Sequence, residues 1–344
     1  MNGVSLVTGG SGYFGSLLVA ELRAQDNPVR ILDLVDADDR PADVEFVSGD
    51  IRSVRDVRRA VDGVSVVYHN VAQVPLARDK ALFESVNVGG TSTLLTQCED
   101  AGVDKVVYTS SSAVFGVPQS NPVYPDTPPS PAEAYGRAKY EGELLCRAAT
   151  TRGLDVSVVR PRTILGLGRL GIFGILFDWI ADGAAVPVLG RGNNIYQFVH
   201  AHDLATACIL AGQRSGPGIY NIGAEEFGTM REAVEHLCEY AGTGAKVRSV
   251  PVGLTSKAMQ ATAVLGLTPF GPYHWIMYSK ELWFDLTAAK EELGWSAKYS
   301  TDAAFRDSYD WFLRNRQALS GTNASHHRSP AKQGVLSIAK KVVR

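Results

Sequence analysis

Val4-Ser5-Leu6-Val7-Thr8-Gly9-Gly10-Ser11-Gly12-Tyr13-Phe14-Gly15 begins with five strand-forming residues, passes through a glycine-rich turn and enters an apolar-periodic segment. Gly10, Gly12 and Gly15 satisfy Gly-x-Gly-x-x-Gly. Glycine in that pattern permits the tight turn, lets a pyrophosphate approach the backbone and lets the helix pack on the strand. The helix amino terminus then turns free N–H groups and a positive dipole end toward the phosphates. A lone glycine pattern is weak, but here a strand precedes it, a helix follows and an acid, Asp33, ends the next strand. Asp33 is placed to accept hydrogen bonds from both hydroxyls of an adenosine ribose. Its charge repels a 2′-phosphate, so the expected cofactor is NAD rather than NADP.

Outward from this loop, strand-length apolar runs alternate with helix-periodic stretches, the mark of βαβ units. The strands expected are Val4–Thr8, Val29–Asp33, Glu45–Ser48, Val64–Asn70, Lys105–Ser110 and Asp155–Arg160, several of them apolar on consecutive residues, as strands covered on both faces should be. Helices are expected over Ser16–Ala24, Val54–Ala60, Leu82–Ala101 and Tyr135–Thr151. The fold class is α/β, a doubly wound parallel sheet (Rossmann) with a smaller, mainly helical substrate-binding lid. Residues 1–165 form the NAD-binding domain, with returning segments around 185–222, and an interleaved lid spans 166–315. After Pro161 the expected elements are Ala185–Leu189, Gln197–Val199, Leu204–Gln213 and Ile219–Asn221, with mainly helix from about Met230. Residues 316–344 form a tail in which Val335, Ile338, Ala339 and Val342 share one helical face flanked by Lys340, Lys341 and Arg344. That stretch reads as a frayed end, with a helix that lies on an anionic membrane surface or docks on a partner as the sharper reading.

Composition narrows the classes. The 344 residues are 45% apolar and 20% charged, ordinary for a globular chain. A net charge of −2 gives no general attraction for phosphate backbones, so nucleic acid is not an expected partner. No apolar run is long enough to span a membrane, no leader peptide is evident, and a cytoplasmic location is expected. Cys98, Cys146, Cys208 and Cys238 stand far apart, which disfavours both structural zinc and a disulfide framework. No metal is expected.

Tyr135 and Lys139 lie four residues apart, on one face of a helix. A tyrosine titrates near ~10, and a neighbouring ammonium stabilises its phenolate and brings it toward working range. Tyr108-Thr109-Ser110-Ser111-Ser112 ends a strand at the carboxyl edge where open α/β sheets bind ligands, so a serine there can hydrogen-bond a substrate oxygen. Asp50-Ile51, after the third strand, is a candidate adenine contact, although Asp50 equally suits a helix cap because Ser53 and Asp56 follow. Val71 and Ala72 are placed to line the channel for the middle of the cofactor.

With these residues assembled, the chain resembles the extended short-chain dehydrogenase/reductase family, the NAD-dependent epimerase/dehydratase group. The likeness runs from Val4 to about Trp311. It includes Thr8–Gly15, Asp33, Gly49-Asp50-Ile51, Tyr68-His69-Asn70-Val71-Ala72, Val86-Asn87-Val88-x-Gly90-Thr91 and Tyr108–Ser111. It continues through Tyr135-x-x-x-Lys139, Arg160-Pro161, Phe198-Val199-His200-x-x-Asp203 and Tyr220–Gly223. The resemblance implies Tyr135 as acid/base, Lys139 holding the nicotinamide ribose and tuning Tyr135, and Ser111 orienting the substrate oxygen. It implies cofactor contacts at Gly9, Gly12, Tyr13, Phe14, Gly15 and Pro161, a lesser one at Asn87, and a homodimer through the helices around Leu82–Ala101 and Tyr135–Thr151.

Dehydratases of this group place two acids directly after the catalytic Ser/Thr, whereas Ser112 and Ala113 stand here, so a sugar dehydratase is not expected. Nucleotide-sugar members hold the diphosphate with arginines, but Tyr196 occupies one such position and the other lacks its Arg-x-Gly-Asp-type segment. Arg162, Arg169, Arg191 and Lys257 are the candidates to stand in, though each reads more simply as a solvated surface charge. Met259, Val264, Leu265, Leu267, Pro269, Phe270, Tyr273, Trp275, Ile276 and Met277 give the lid an apolar character resembling 3β-hydroxysteroid dehydrogenase-type relatives. Candidate substrate contacts are Ser112, Arg162 and Tyr196. Nucleotide-sugar epimerisation leads narrowly, oxidation of a sterol or other lipid alcohol is the alternative, and a non-catalytic dinucleotide sensor is a minor one.

Overall fold

The structure, a computed structural model, describes residues 3–73, 80–168, 170–265, 267–268 and 271–319. The tail beyond 319, with its expected basic helix, and Arg169, Pro269 and Phe270 lie outside the described residues. The first half runs β1 (Val4–Thr8), α1 (Tyr13–Arg23), β2 (Val29–Asp33), β3 (Glu45–Ser48), α2 (Val54–Val61) and β4 (Val64–His69). There follow α3 (Lys80–Leu82), a π-helical segment over Phe83–Gly90, α4 (Thr91–Ala101), β5 (Lys105–Thr109), a 3₁₀ turn over Ser112–Phe115, α5 (Ala134–Arg152) and β6 (Val156–Pro161). The second half holds β7 (Thr163–Leu165), α6 (Ile172–Ala181), β8 (Val186–Leu189), β9 (Phe198–His200), α7 (Ala201–Gln213) and β10 (Gly218–Ile222). It continues with α8 (Met230–Ala241), β11 (Val247–Val250), α9 (Val252–Val264), α10 (Pro272–Met277), α11 (Thr287–Leu293) and α12 (Thr301–Leu319).

Seven parallel strands form one sheet in the order β10-β6-β5-β4-β1-β2-β3. Strand residues alternate faces. Val7 joins an apolar cluster with Leu18, Leu22, Leu204 and Cys208, while its neighbour Leu6 joins one with Leu94, Cys98 and Cys146 on the other face. Both faces are covered, which is why the strands are apolar throughout. A third cluster packs Phe173, Phe177, Tyr196, Phe198, Phe305 and Tyr309 around the short parallel pairs β7–β9 and β8–β11. All four cysteines are buried and free. Among the described residues no helix is long and apolar enough to cross a membrane.

The order reverses direction between β1 and β4, and the crevice beyond their carboxyl ends is where doubly wound sheets take a ligand. Two departures from the expected elements sit at this crevice. β4 ends at His69 rather than Asn70, whose amide donates to Thr8 Oγ1 at 3.1 Å. The helix expected over Leu82–Ala101 is interrupted by the π-helical turn, a feature often found where a side chain is re-aimed at a functional site. Gly90 in that turn allows close approach, since a Cβ there would stand 2.7 Å from Ile51 Cγ2. A further strand, β11, lies in the stretch expected to be mainly helical, held by register with β8.

Candidate active site

The loop after β1 has the shape of a phosphate cradle. Gly9 adopts φ +72°, and Gly12 N–H donates to the Gly9 carbonyl at 3.0 Å. A Cβ on Gly15 would stand 2.0 Å from the Gly9 oxygen, and one on Gly12 would stand 3.1 Å from it. The turn therefore closes only on glycine. Gly12 caps α1 with no side-chain hydrogen bond, leaving the helix amino terminus open to an anion. The Ser11 hydroxyl is buried here without a partner among the described residues. Asp33 Oδ2 accepts from Ser11 N–H at 3.1 Å and Oδ1 from Leu34 N–H at 2.7 Å, which ties the acid to the loop. Burial raises the Asp33 pKa, and the backbone amides act against that rise. Glycine cradle, open helix end and acid at the tip of β2 together fit a dinucleotide. Tyr13 is buried, and Phe14 packs against the core.

Asp50 is engaged by Arg52, with Arg52 Nη2 2.5 Å from Asp50 Oδ2, and that bond lowers its pKa. The cap of α2 is Ser53, which accepts from Asp56 N–H, so Asp50 is not the capping residue. Ile51 is buried beside Gly90, whereas Val71 and Ala72 are half-exposed at the end of β4. A relay links the two sides of the crevice. Thr91 Oγ1 donates to the Asn87 carbonyl at 2.7 Å, so it accepts from His69 Nε2–H at 3.0 Å. His69 Nδ1 is left to accept from Thr8 Oγ1–H at 2.8 Å, while Thr8 Oγ1 accepts from the Asn70 amide. The Asn87 side chain brackets Gln73, accepting from its N–H at 2.7 Å and donating to its carbonyl at 3.1 Å. Asn87 thus supports the loop that carries Val71 and Ala72.

Burial pushes the His69 pKa from 6.5 down to about 3, aided by the Lys139 charge. The unfolded chain therefore binds the proton first. Stability from this residue is complete above pH ~6.5 and falls as pH drops from there toward about 3. Between pH 7 and pH 5 the expected loss is about 2 kcal/mol. Urea unfolding of wild type and His69→Gln at both pH values measures it. The variant should lack this increment, and an equal loss in both proteins would sink the assignment.

The three serines after β5 have different partners. Ser110 Oγ donates to Glu143 Oε1 at 2.5 Å, and Ser112 Oγ accepts from Arg162 Nη1 at 2.8 Å. Among the described residues Ser111, half-buried, accepts only the Ala113 amide at 3.2 Å. Helix α5 lies close over this turn, because a Cβ on Gly136 would stand 2.4 Å from the Ala113 carbonyl. Glu133 caps α5 by accepting from the amides of Tyr135 and Gly136 at 2.7 and 2.6 Å. Tyr135 is half-buried, its ring edge-on to Phe83 at 6.4 Å. One turn further, Lys139 Nζ donates to the Thr109 carbonyl at 2.7 Å and lies 4.9 Å from the Tyr108 ring centre. Burial pushes Lys139 down to about 8, with Cys146 and Glu143 acting the other way. Pro161 closes β6, opposite Ile222 of β10.

Ser112, Arg162 and Tyr196 are brought together. Arg162 is buried, not a solvated charge, and stacks 4.7 Å over the Tyr196 ring. Arg191 and Lys257 are exposed. Sequence reasoning missed Glu143, which joins Ser110 to Arg160 in a buried bidentate pair. Its spacing, four residues after Lys139 as Lys139 is four after Tyr135, was the available signal.

Fold and site define a nicotinamide-dinucleotide oxidoreductase built on a doubly wound sheet. Residues 5–223 match the sequence model of the NAD dependent epimerase/dehydratase family, and the chain belongs to that family. An uncharacterised protein, y4nG, of Sinorhizobium fredii is 49% identical over 99% of this chain and 86% of its own. Sterol demethylase protein B of Methylococcus capsulatus is 31% identical over 90% of this chain and 98% of its own. UDP-glucose 4-epimerase of Azospirillum brasilense is 30% identical over 93% and 94%. The solved structure of MoeE5 in complex with UDP-glucose and NAD is 26% identical, with TM-score 0.74 over 91% of this chain and all of that one. The cofactor is NAD.

Proposed function

We propose that the protein transfers hydride at a secondary alcohol carried on an apolar, sterol-like body. Tyr196 carries the substrate half of this reading. It stands where nucleotide-sugar members are expected to hold a diphosphate with arginine, yet it is fully buried, its hydroxyl 3.0 Å from Thr163 Oγ1 and its ring beneath Arg162. A neutral phenol so engaged offers no bidentate charge to a diphosphate. Nearby, α9 has no buried residue, and Leu254, Val264 and Leu265 are 72%, 86% and 70% exposed. Lys257 is the single charge between Val252 and Thr268. Exposed apolar side chains with a single charge among them suit an apolar ligand. The similarity to sterol demethylase protein B supports the same reading.

Ser111 keeps a hydroxyl proton to donate to the substrate oxygen. Tyr135 acts as the phenolate, stabilised by the Lys139 ammonium one turn away, and becomes the neutral phenol on taking the alcohol proton. Bound NAD supplies the hydride acceptor. Lys139 is held toward the site by the Thr109 carbonyl, so its charge is positioned before substrate arrives.

Nucleotide-sugar epimerisation is the second reading, favoured by the similarity to UDP-glucose 4-epimerase. The test offers purified protein a 3β-hydroxysteroid and, separately, UDP-glucose, each with and without added NAD. NADH accumulating with steroid and added NAD is the expected result. Conversion of UDP-glucose to its 4-epimer without net NADH would replace this proposal with the second reading.

A further inference from the structure

We propose that α9 and the chain on either side of it dock on an anionic phospholipid surface. The inference stands on the chemistry of this surface and does not depend on which alcohol the active site takes. Val264 and Leu254 are the two most exposed large apolar side chains among the described residues, and Val252, Leu265 and Leu267 are exposed with them. Leu254, Ala258, Ala261 and Leu265 recur at helical spacing, so they share the outward face. Thr255, Ser256, Met259 and Thr262 form the half-buried side. There Thr262 Oγ1 donates to the Ala258 carbonyl at 2.8 Å and accepts from Thr268 Oγ1 at 3.0 Å. The helix thus turns its hydroxyls inward and its large aliphatic side chains out, the reverse of a helix that faces water.

Charge selects the kind of surface. Residues 240–280 contain no Asp or Glu, although the chain holds 36 of them. The same stretch carries Lys246, Arg248, Lys257 and Lys280, all exposed and none in an ion pair among the described residues. On either side of it the pattern is different, with Arg231 tied to Glu235 and Lys290 to Glu225. A bilayer with negative head groups satisfies both features at once. Its acyl region receives the aliphatic side chains, and its head groups meet the free cations. Lys257, between Leu254 and Val264, has a stem long enough to follow the apolar face while its ammonium stays at the head groups.

A second copy of the chain fits this surface less well. A two-fold contact sets one surface against itself, and here it would bring like charges together with no acid between them. The 13 residues of α9 are too few to span a bilayer, and among the described residues no helix is long and apolar enough to do so. The helix therefore lies in the interface rather than across it. A bilayer is also where an alcohol on an apolar body partitions, so the contact suits the reaction proposed above without resting on it.

The experiment mixes the full chain with vesicles of phosphatidylcholine alone, or of equimolar phosphatidylcholine and phosphatidylglycerol, and measures the bound fraction by sedimentation. Wild type should bind the anionic vesicles about tenfold or more tightly than the neutral ones, and added salt should weaken that binding. Leu254→Ser/Val264→Ser/Leu265→Ser should cost about 10–100-fold in affinity for anionic vesicles, and Lys257→Gln about 3–5-fold. All four side chains are exposed, so thermal unfolding and NAD affinity should match wild type in both variants. Hydrogen exchange of wild type gives an independent reading, in which anionic vesicles should slow the amides of Val252–Leu265. Wild type that stays in solution beside anionic vesicles overturns the proposal. So does undiminished binding by the triple variant, or protection confined to other segments, since either places the contact elsewhere in the chain. A triple variant that changes the oligomeric state without lipid would assign α9 to a second copy instead. The vesicles hold neither sterol nor nucleotide sugar, so this outcome and that of the NADH test above are separate.

Discussion

Tyr135→Phe is expected to lower turnover by about 10²–10⁴-fold, the range over which a positioned acid/base acts. The substitution removes one oxygen and little else. The ring is half-buried, and its edge-on packing against Phe83 at 6.4 Å is available to phenylalanine. Lys139, one turn on, keeps its bond to the Thr109 carbonyl, and the glycine cradle after β1 is untouched. NAD affinity and thermal stability should therefore match wild type while kcat collapses. Steady-state rates on whichever alcohol turns over, with a thermal melt of each protein, make the comparison. Turnover within about threefold of wild type, far inside the acid/base range, would remove Tyr135 from the role. A variant that keeps a biological effect without turnover would instead revive a sensor.

A large loss of stability is expected from Glu143→Leu. Glu143 and Arg160 have side chains only 6% and 3% exposed. Besides the bidentate pair, Glu143 accepts from Ser110 Oγ, and Arg160 Nη1 donates to the Pro125 carbonyl at 2.8 Å. Removing the carboxylate leaves a guanidinium buried over the Phe115 ring with its main partner gone. Breaking such a pair costs about 3–5 kcal/mol, whereas replacing both members by apolar groups is often neutral. Urea unfolding should show the full loss in Glu143→Leu and most of it regained in Glu143→Leu/Arg160→Met. A single-variant loss under about 1 kcal/mol, the scale of an exposed pair, would show that the pair is not isolated from water. Activity should fall as well. Ser110 precedes Ser111, and loss of Glu143 also removes one of the groups that hold the Lys139 charge up.

Much of the first half was legible because its signals are local. β1, β2 and β3 have the bounds expected from their apolar runs, and α5 is one residue longer at each end than expected. Glycine spacing in Thr8–Gly15 is dictated by contacts within the loop, above all the approach of Gly15 to the Gly9 carbonyl. The Tyr135–Lys139 spacing follows from helix geometry, and Asp33 at the tip of β2 from sheet topology. The interruption at Phe83–Gly90 was not legible, because it depends on Asn87 reaching the backbone of Gln73 and on Ile51 crowding Gly90.

The doubly wound fold, the dinucleotide loop and the family can all be read from the amino-acid chain, since they rest on periodicity and on spacings within one or two elements. What each serine after β5 bonds to, and that Arg162 is buried, emerges only once distant segments are folded together. Those partners meet across 33 residues for Ser110 and Glu143 and across 50 for Ser112 and Arg162. No local pattern records such a meeting. An arginine reads as a surface charge until Arg162, in the single-residue link between β6 and β7, is seen to set its guanidinium over the Tyr196 and Phe284 rings, where water is excluded.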